Sequence, residues 1–275
     1  MTGERQTAIV TGAASGIGRA MAIGLLAAGI DVAAVDKERA WLDELAATAA
    51  GRAGALHPIA ADLSHPASFE AIVADVLGRS GRIDILVNNA GVGQGSIRAD
   101  QRHDPIRFWE ITPEQWARFQ AVNATAPVMM ARAVVPYMLR AGHGRIVTVT
   151  TSLGTMLRRG YVLYGASKAA AEAATAVMAA DLAGTGITAN VLVPGGMTDT
   201  RIIPDAAIAD RRRLLRPEIM APPLIWLVSD EAAAVTGRRF LAVHWDPALP
   251  PAEAAQKSGA PIAWTAIATM PIEPD

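Results

Sequence analysis

The sequence predicts a single doubly wound α/β domain built on a parallel sheet, on three observations. Seven short runs rich in Val, Ile, Ala and Thr lie at 7–10, 31–35, 55–60, 83–87, 145–150, 188–193 and 240–243. Each has the continuous apolar character of a strand buried on both faces. Longer helix-like patterns alternate with them at 17–28, 38–50, 66–79, 113–141 and 161–183. That rhythm is the one produced by βα units with right-handed crossovers. Finally, 275 residues with 51% hydrophobic content can enclose a full core without disulfides or metals.

The elements follow in chain order from local chemistry. The first strand ends in the glycine-rich run Thr11-Gly12-Ala13-Ala14-Ser15-Gly16-Ile17-Gly18, which opens the first helix. Thr112 followed by Pro113 is a cap-then-proline start for the 113–141 helix. Two spans break the rhythm. Residues 93–111 are charge-rich, carry Phe108 and Trp109, and fit neither period. Residues 247–275 hold six prolines and read as a C-terminal extension of a 1–246 domain, ordered by contact or partly mobile. With Trp245 and Trp264, that extension is expected to close over a pocket of its own or a neighbouring subunit.

Composition narrows the function classes. The formal net charge is −1, so no basic surplus exists to neutralise phosphates, which argues against a nucleic-acid partner. The absence of cysteine excludes a thiol nucleophile, a disulfide scaffold and thiolate-bound metal. His57, His65, His103, His143 and His244 lack metal-ligand spacing, so no metal site is read. No signal segment or membrane span is visible, and a cytoplasmic protein is expected.

Two motifs carry chemistry. Glycines in the 12–18 turn permit positive φ and a close backbone approach. The helix start behind them offers unpaired N–H groups and the positive end of a dipole to a pyrophosphate. Asp36 ends the second strand, 18 positions after Gly18, where a carboxylate can accept from ribose hydroxyls. Its charge repels a 2′-phosphate, so NAD is expected over NADP, although Lys37 next door softens that repulsion. The second motif is Tyr164-Gly165-Ala166-Ser167-Lys168, whose Tyr and Lys share one helix face. With three Tyr and three Lys in the chain, chance rarely supplies such a pair. An ammonium beside the phenol is expected to lower the Tyr164 pKa and make it a proton donor and acceptor.

These motifs, with Asp62-Leu63, Asn88-Asn89-Ala90-Gly91, Asn123 and Pro194-Gly195 in order, resemble the short-chain dehydrogenase/reductase family over residues 6–243. The resemblance implies a Rossmann-type fold and an oxidoreductase that interconverts a secondary alcohol and a ketone. It implies Tyr164 as acid and base, Lys168 as a cofactor-ribose ligand, and Asn123 at a helix irregularity holding a water. Asp62 would meet the adenine, Leu63 beside it would belong to the cofactor site, and Asn89, Ala90 and Gly91 would line the cofactor channel. Gly12, Ala14, Ser15, Gly16, Ile17 and Gly18 would form the phosphate turn. Pro194, Gly195 and Thr198 would approach the nicotinamide, with Thr200 in place of Thr198 if the extra Gly196 shifts the register. Residues 196–220 would form the substrate loop.

The family's usual Ser, 13 positions before the Tyr, is Thr151 here, with Ser152 as the fallback hydroxyl. Arg98, Arg102, Arg107, Arg158, Arg159, Arg201 and Arg211 to Arg213 border the expected pocket and suit a polar or anionic substrate. The alanine-rich 161–183 helix and the 113–141 helix are expected to build a homodimer or homotetramer. Two alternatives stand beside the alcohol/ketone reading. One is a non-catalytic nicotinamide-nucleotide sensor or scaffold. The other is an enzyme of this family acting on a dihydrodiol or an imine.

Overall fold

The computed structural model describes residues 5–208 and 210–268. Eight strands form one sheet: β1 (Thr7–Thr11), β2 (Asp31–Asp36), β3 (Leu56–Ala60), β4 (Ile85–Asn88), β5 (Gly144–Val149), β6 (Ile187–Val193), β7 (Arg238–Leu241) and β8 (Gly259–Pro261). Their order is β3-β2-β1-β4-β5-β6-β7-β8. Strands β1 to β7 pair in parallel, and β8 runs antiparallel to β7. The order reverses between β1 and β4, which opens a crevice at the carboxyl ends of the strands.

The helices are α1 (Gly16–Ala27), α2 (Arg39–Ala49), α3 (Ala67–Ser80), α4 (Pro113–Gln120), α5 (Ala126–Ala141), α6 (Leu153–Met156), α7 (Val162–Asp181), α8 (Ala221–Val228) and α9 (Pro251–Ser258). Successive β1 residues serve opposite faces. Ala8 and Val10 pack with Met21 and Leu25 of α1, Leu42 of α2 and Leu224 of α8. Ile9 packs with Phe69 and Ile72 of α3 and with Met130 and Val134 of α5. This two-sided burial is why the strands read as unbroken apolar runs. None of the described helices is long and apolar enough to cross a membrane.

Two features of the elements bear on the site. The 113–141 helix is interrupted by a π-helical turn, Ala121–Thr125, between α4 and α5, at the Asn123 position where the resemblance implied an irregularity. Its start is as expected: Thr112 accepts from the Gln115 N–H at 3.2 Å, and the Gln115 side chain accepts from the Thr112 N–H. The sheet has eight strands rather than seven. The C-terminal extension supplies α9 and then β8, whose Ala260 registers with Arg239. Proline density masked a helix that begins with Pro251 at its first position, where a missing N–H is harmless. Both outer strands carry a proline, Pro58 in β3 and Pro261 in β8.

Candidate active site

The crevice holds a continuous cleft of about 630 Å³. One end is walled by Asp36, Lys37, Trp41, Asp62 and Leu63, and the other by Thr151, Tyr161 and Tyr164.

At the first end the turn after β1 is shaped by its glycines. Gly12 has φ +62°, and a Cβ there would sit 2.8 Å from the Ala90 Cα. A Cβ on Gly18 would sit 2.0 Å from the Gly12 carbonyl oxygen. Neither position has room for a side chain, and glycine lets the turn pack this tightly against the start of α1 and the Asn89–Ala90 segment. Ser15 makes no capping bond and the first turn of α1 carries no acidic side chain, so its first N–H groups face the cleft without a local anion. This donor set and cradle fit a dinucleotide pyrophosphate.

Asp36 accepts from the Ala14 N–H at 3.1 Å and the Glu38 N–H at 3.2 Å, which fixes its carboxylate at the strand end. Lys37 lies 3.6 Å from the Glu38 carboxylate. Asp62 accepts the Ser64 N–H at 2.8 Å, and that bond holds its pKa below the usual carboxylate value. The Asn89 carboxamide donates to the Thr11 and Gly12 carbonyls, while Thr11 Oγ1 accepts the Asn89 and Ala90 N–H groups. Asn89 thus braces the floor of the channel as well as lining it.

At the inner end, Tyr164 and Lys168 share a face of α7, one turn apart. Thr151 follows β5 and lines the inner end of the cleft beside Tyr164, close enough for its hydroxyl to favour the phenolate. Ser152 instead pairs with Thr155 Oγ1 at 2.7 Å. Lys168 is buried and its Nζ donates to the Val149 carbonyl at 2.9 Å. A Cβ on Gly91 would sit 3.1 Å from Asn123 Oδ1 and 3.5 Å from that Nζ, so this stretch of the channel wall packs closely against both.

The expected lowering of the Tyr164 pKa does not occur. Burial pushes the phenol up to about 12, Tyr161 adds to the rise, and the Thr151 hydroxyl offsets only part of it. Burial also pulls the Lys168 pKa down to about 8, so the ammonium has already lost its proton at the pH where the phenol would ionise. Spacing on a helix reports proximity; it carries no information about the desolvation that dominates here.

Asn123 sits in the π-helical turn, fully buried. Its carboxamide donates to the Val92 carbonyl and to Ser167 Oγ, both at 3.0 Å, and accepts from the Val92 N–H at 2.8 Å. The side chain braces the wall and does not face the cleft. Ala14 likewise turns into the core and contributes its N–H to Asp36. Gly12, Ser15, Gly16, Ile17, Gly18, Ala90, Gly91, Pro194, Gly195 and Thr198 all line the cleft. Thr200 lines it too, lying against Gly16, where a Cβ would meet Thr200 Cγ2 at 2.7 Å.

The 93–111 span forms part of the substrate-side wall. Gln94 donates to the Gly160 carbonyl, Gln101 donates to the Tyr161 hydroxyl at 3.2 Å, and Arg102 reaches Met197. Sequence reasoning named the arginines here and missed Gln94 and Gln101. Neither glutamine lies on a periodic pattern, and only the fold brings them against Gly160 and Tyr161. Arg102, Arg158 and Arg201 line the cleft, together with Arg118. Arg98, Arg211 and Arg212 are held in ion pairs with Asp104, Asp199 and Asp210. No described residue of the C-terminal extension lines the cleft, and residues 269–275 lie outside the described residues.

Comparison with known proteins agrees with this geometry. The short chain dehydrogenase family model matches residues 6–207. The 3-oxoacyl-[acyl-carrier-protein] reductase FabG of Thermotoga maritima is 33% identical, over 86% of this chain and 95% of its own length. The D-threitol dehydrogenase of Mycolicibacterium smegmatis is also 33% identical, over 85% and 90%. A 3-ketoacyl-(acyl-carrier-protein) reductase from Brucella melitensis, solved with NADH, superposes with a TM-score of 0.75 at 30% identity, covering 86% and 96% of the two chains. A metagenomic short-chain oxidoreductase solved with NADP gives 0.68 at 28% identity, covering 81% and 90%. With its phosphate turn, its Tyr164–Lys168 pair and its parallel sheet, the chain belongs to the short-chain dehydrogenase/reductase family.

Proposed function

We propose that the protein interconverts a secondary alcohol and a ketone with a nicotinamide nucleotide, with Tyr164 as acid and base. The observation that carries this is the convergence of Thr151, Tyr164 and Lys168 on the inner end of one cleft, with Lys168 one helical turn behind Tyr164. The bound nucleotide supplies or accepts the hydride. The chain supplies position and proton traffic. The α1 N–H groups bind the pyrophosphate and Asp36 takes the ribose hydroxyls. Thr151 and Tyr164 hold the substrate oxygen between two hydroxyls. Tyr164 gives its proton to that oxygen in reduction and takes it back in oxidation. A phenol with a pKa of about 12 is fully protonated at neutral pH, the form that donates.

NAD is proposed over NADP. Asp36 presents a fixed carboxylate at the strand end, and Lys37 lies beside Glu38, which offsets its charge. Calorimetric titration with NADH and NADPH tests this; tighter NADPH would overturn the preference, and binding of neither would overturn the assignment. Two substrate probes, acetoacetyl-CoA and D-threitol, span the chemistry of the relatives' names. A homodimer or homotetramer is proposed through the α4, α5 and α7 surfaces, where Trp116, Leu139 and Val177 are exposed. Sedimentation as a monomer at micromolar concentration would refute it.

A further inference from the structure

The catalytic face of α7 does not end at Lys168. Tyr164, Lys168 and Glu172 stand at i, i+4 and i+8, on one stripe of the helix. Two of them hold successive residues at the end of β5: Lys168 Nζ donates to the Val149 carbonyl, and the Thr150 hydroxyl donates to Glu172 Oε2 at 2.5 Å. Tyr164 shares the inner end of the cleft with the next residue, Thr151. Glu172 is fully buried, as a carboxylate seldom is without a partner.

Its partner comes from across the sheet. Arg239 of β7 donates Nε to Glu172 Oε1 at 2.9 Å and Nη2 to the Thr151 carbonyl at 3.1 Å. The Ala263 N–H, just past β8, donates to the same Oε1 at 3.1 Å. Ala263 adopts φ +51°, a left-handed conformation that a non-glycine residue takes only where its surroundings demand it. The Thr150–Thr151 segment is thus gripped on both sides, by Glu172 through the Thr150 side chain and by Arg239 through the Thr151 carbonyl.

We propose that Glu172 and Arg239 are positioning residues for the Thr151 hydroxyl, and that the C-terminal extension, through Ala263, completes their cluster. The inference rests on the proposed role of Thr151 and Tyr164. Neither Glu172 nor Arg239 lines the cleft, so both act through Thr151. The Thr151 χ1 wells are few, so a fixed main chain at 150–151 leaves the hydroxyl aimed at the phenol. Loss of either charge leaves the other buried and unpaired, and the segment shifts to relieve it.

The test is a double-mutant cycle on the full chain. Arg239→Met and Glu172→Gln are expected to lower kcat for acetoacetyl-CoA or D-threitol about tenfold or more. KM and nucleotide affinity should stay within about threefold. Arg239→Lys should restore part of the loss. In a Thr151→Val background, Arg239→Met should cost nothing further, because the group it positions is gone. An equal loss in both backgrounds would show a merely structural role and overturn the proposal. A second readout needs no turnover. The ¹³C signal of the Tyr164 Cζ, assigned by loss in Tyr164→Phe, should move by the same amount in Thr151→Val, Arg239→Met and Glu172→Gln. An unmoved signal in folded Arg239→Met and Glu172→Gln, with thermal melts to establish folding, overturns the proposal. If both probes are inert with the native enzyme, the alcohol/ketone reading fails, and this signal still decides the positioning role.

Discussion

Removing the Lys168 charge should change how stability depends on pH, and the structure sets the size of the change. Burial lowers the Lys168 pKa from 10.5 to about 8 in the folded state. The unfolded chain therefore holds a proton that the folded chain has released over the interval between those values. Stability rises with pH wherever the unfolded state binds more protons, so the nucleotide-free protein gains stability from about pH 8 to about pH 10.5. The full displacement corresponds to about 3 kcal/mol, and about 2 kcal/mol of it falls between roughly pH 7.5 and 9.5. Tyr164 acts oppositely and later: its pKa, raised from 10 to about 12, withdraws stability as pH climbs through that interval. Urea unfolding of the native protein and of Lys168→Met, at fixed protein concentration and without nucleotide, isolates the effect. The native protein should gain about 2 kcal/mol relative to the variant over that lower range. A difference that stays flat with pH would refute the claim that desolvation governs this ammonium.

Tyr164→Phe should lower kcat by about 10²–10⁴ and leave NADH affinity within about threefold, measured by turnover and calorimetry. Thr151→Ser should keep most activity, Thr151→Val should lose about tenfold or more, and Ser152→Ala should match the native rate within about threefold, since Thr151 lies beside Tyr164 in the cleft while the Ser152 hydroxyl is taken by Thr155. Gly18→Ala should abolish nucleotide binding in calorimetry, because its Cβ would meet the Gly12 carbonyl oxygen at 2.0 Å. Arg158→Ala should raise KM for an acidic substrate while Arg159→Ala leaves it unchanged, since Arg158 lines the cleft and Arg159 does not.

The sheet and the phosphate turn were legible because their causes are local. Strands buried on both faces must be apolar throughout, and a turn that meets a ligand with its backbone must be glycine-rich. Tyr164, Lys168 and Asp36 were legible from spacing alone. Thr151 and Ser152 could not be separated in sequence, since the choice depends on where β5 ends and α6 begins. The helix irregularity at Asn123 was legible only through the family resemblance and not in the helical pattern, because one extra residue per turn leaves no compositional mark. Glu172 and Arg239 are 67 residues apart and meet only after β7 pairs with β6. The direction of the Tyr164 shift was misread for a related reason: two residues set the spacing, but the whole packed wall sets the desolvation.

The prolines on the outer strands have a consequence for how copies of this chain can meet. Pro58 and Pro261 each remove a donor from a lateral margin of the sheet, and β8 is only three residues long. A strand from another molecule would find an interrupted template at either margin. Sideways recruitment is thus hindered at both margins, which leaves the flanking helical surfaces as the faces open to another copy.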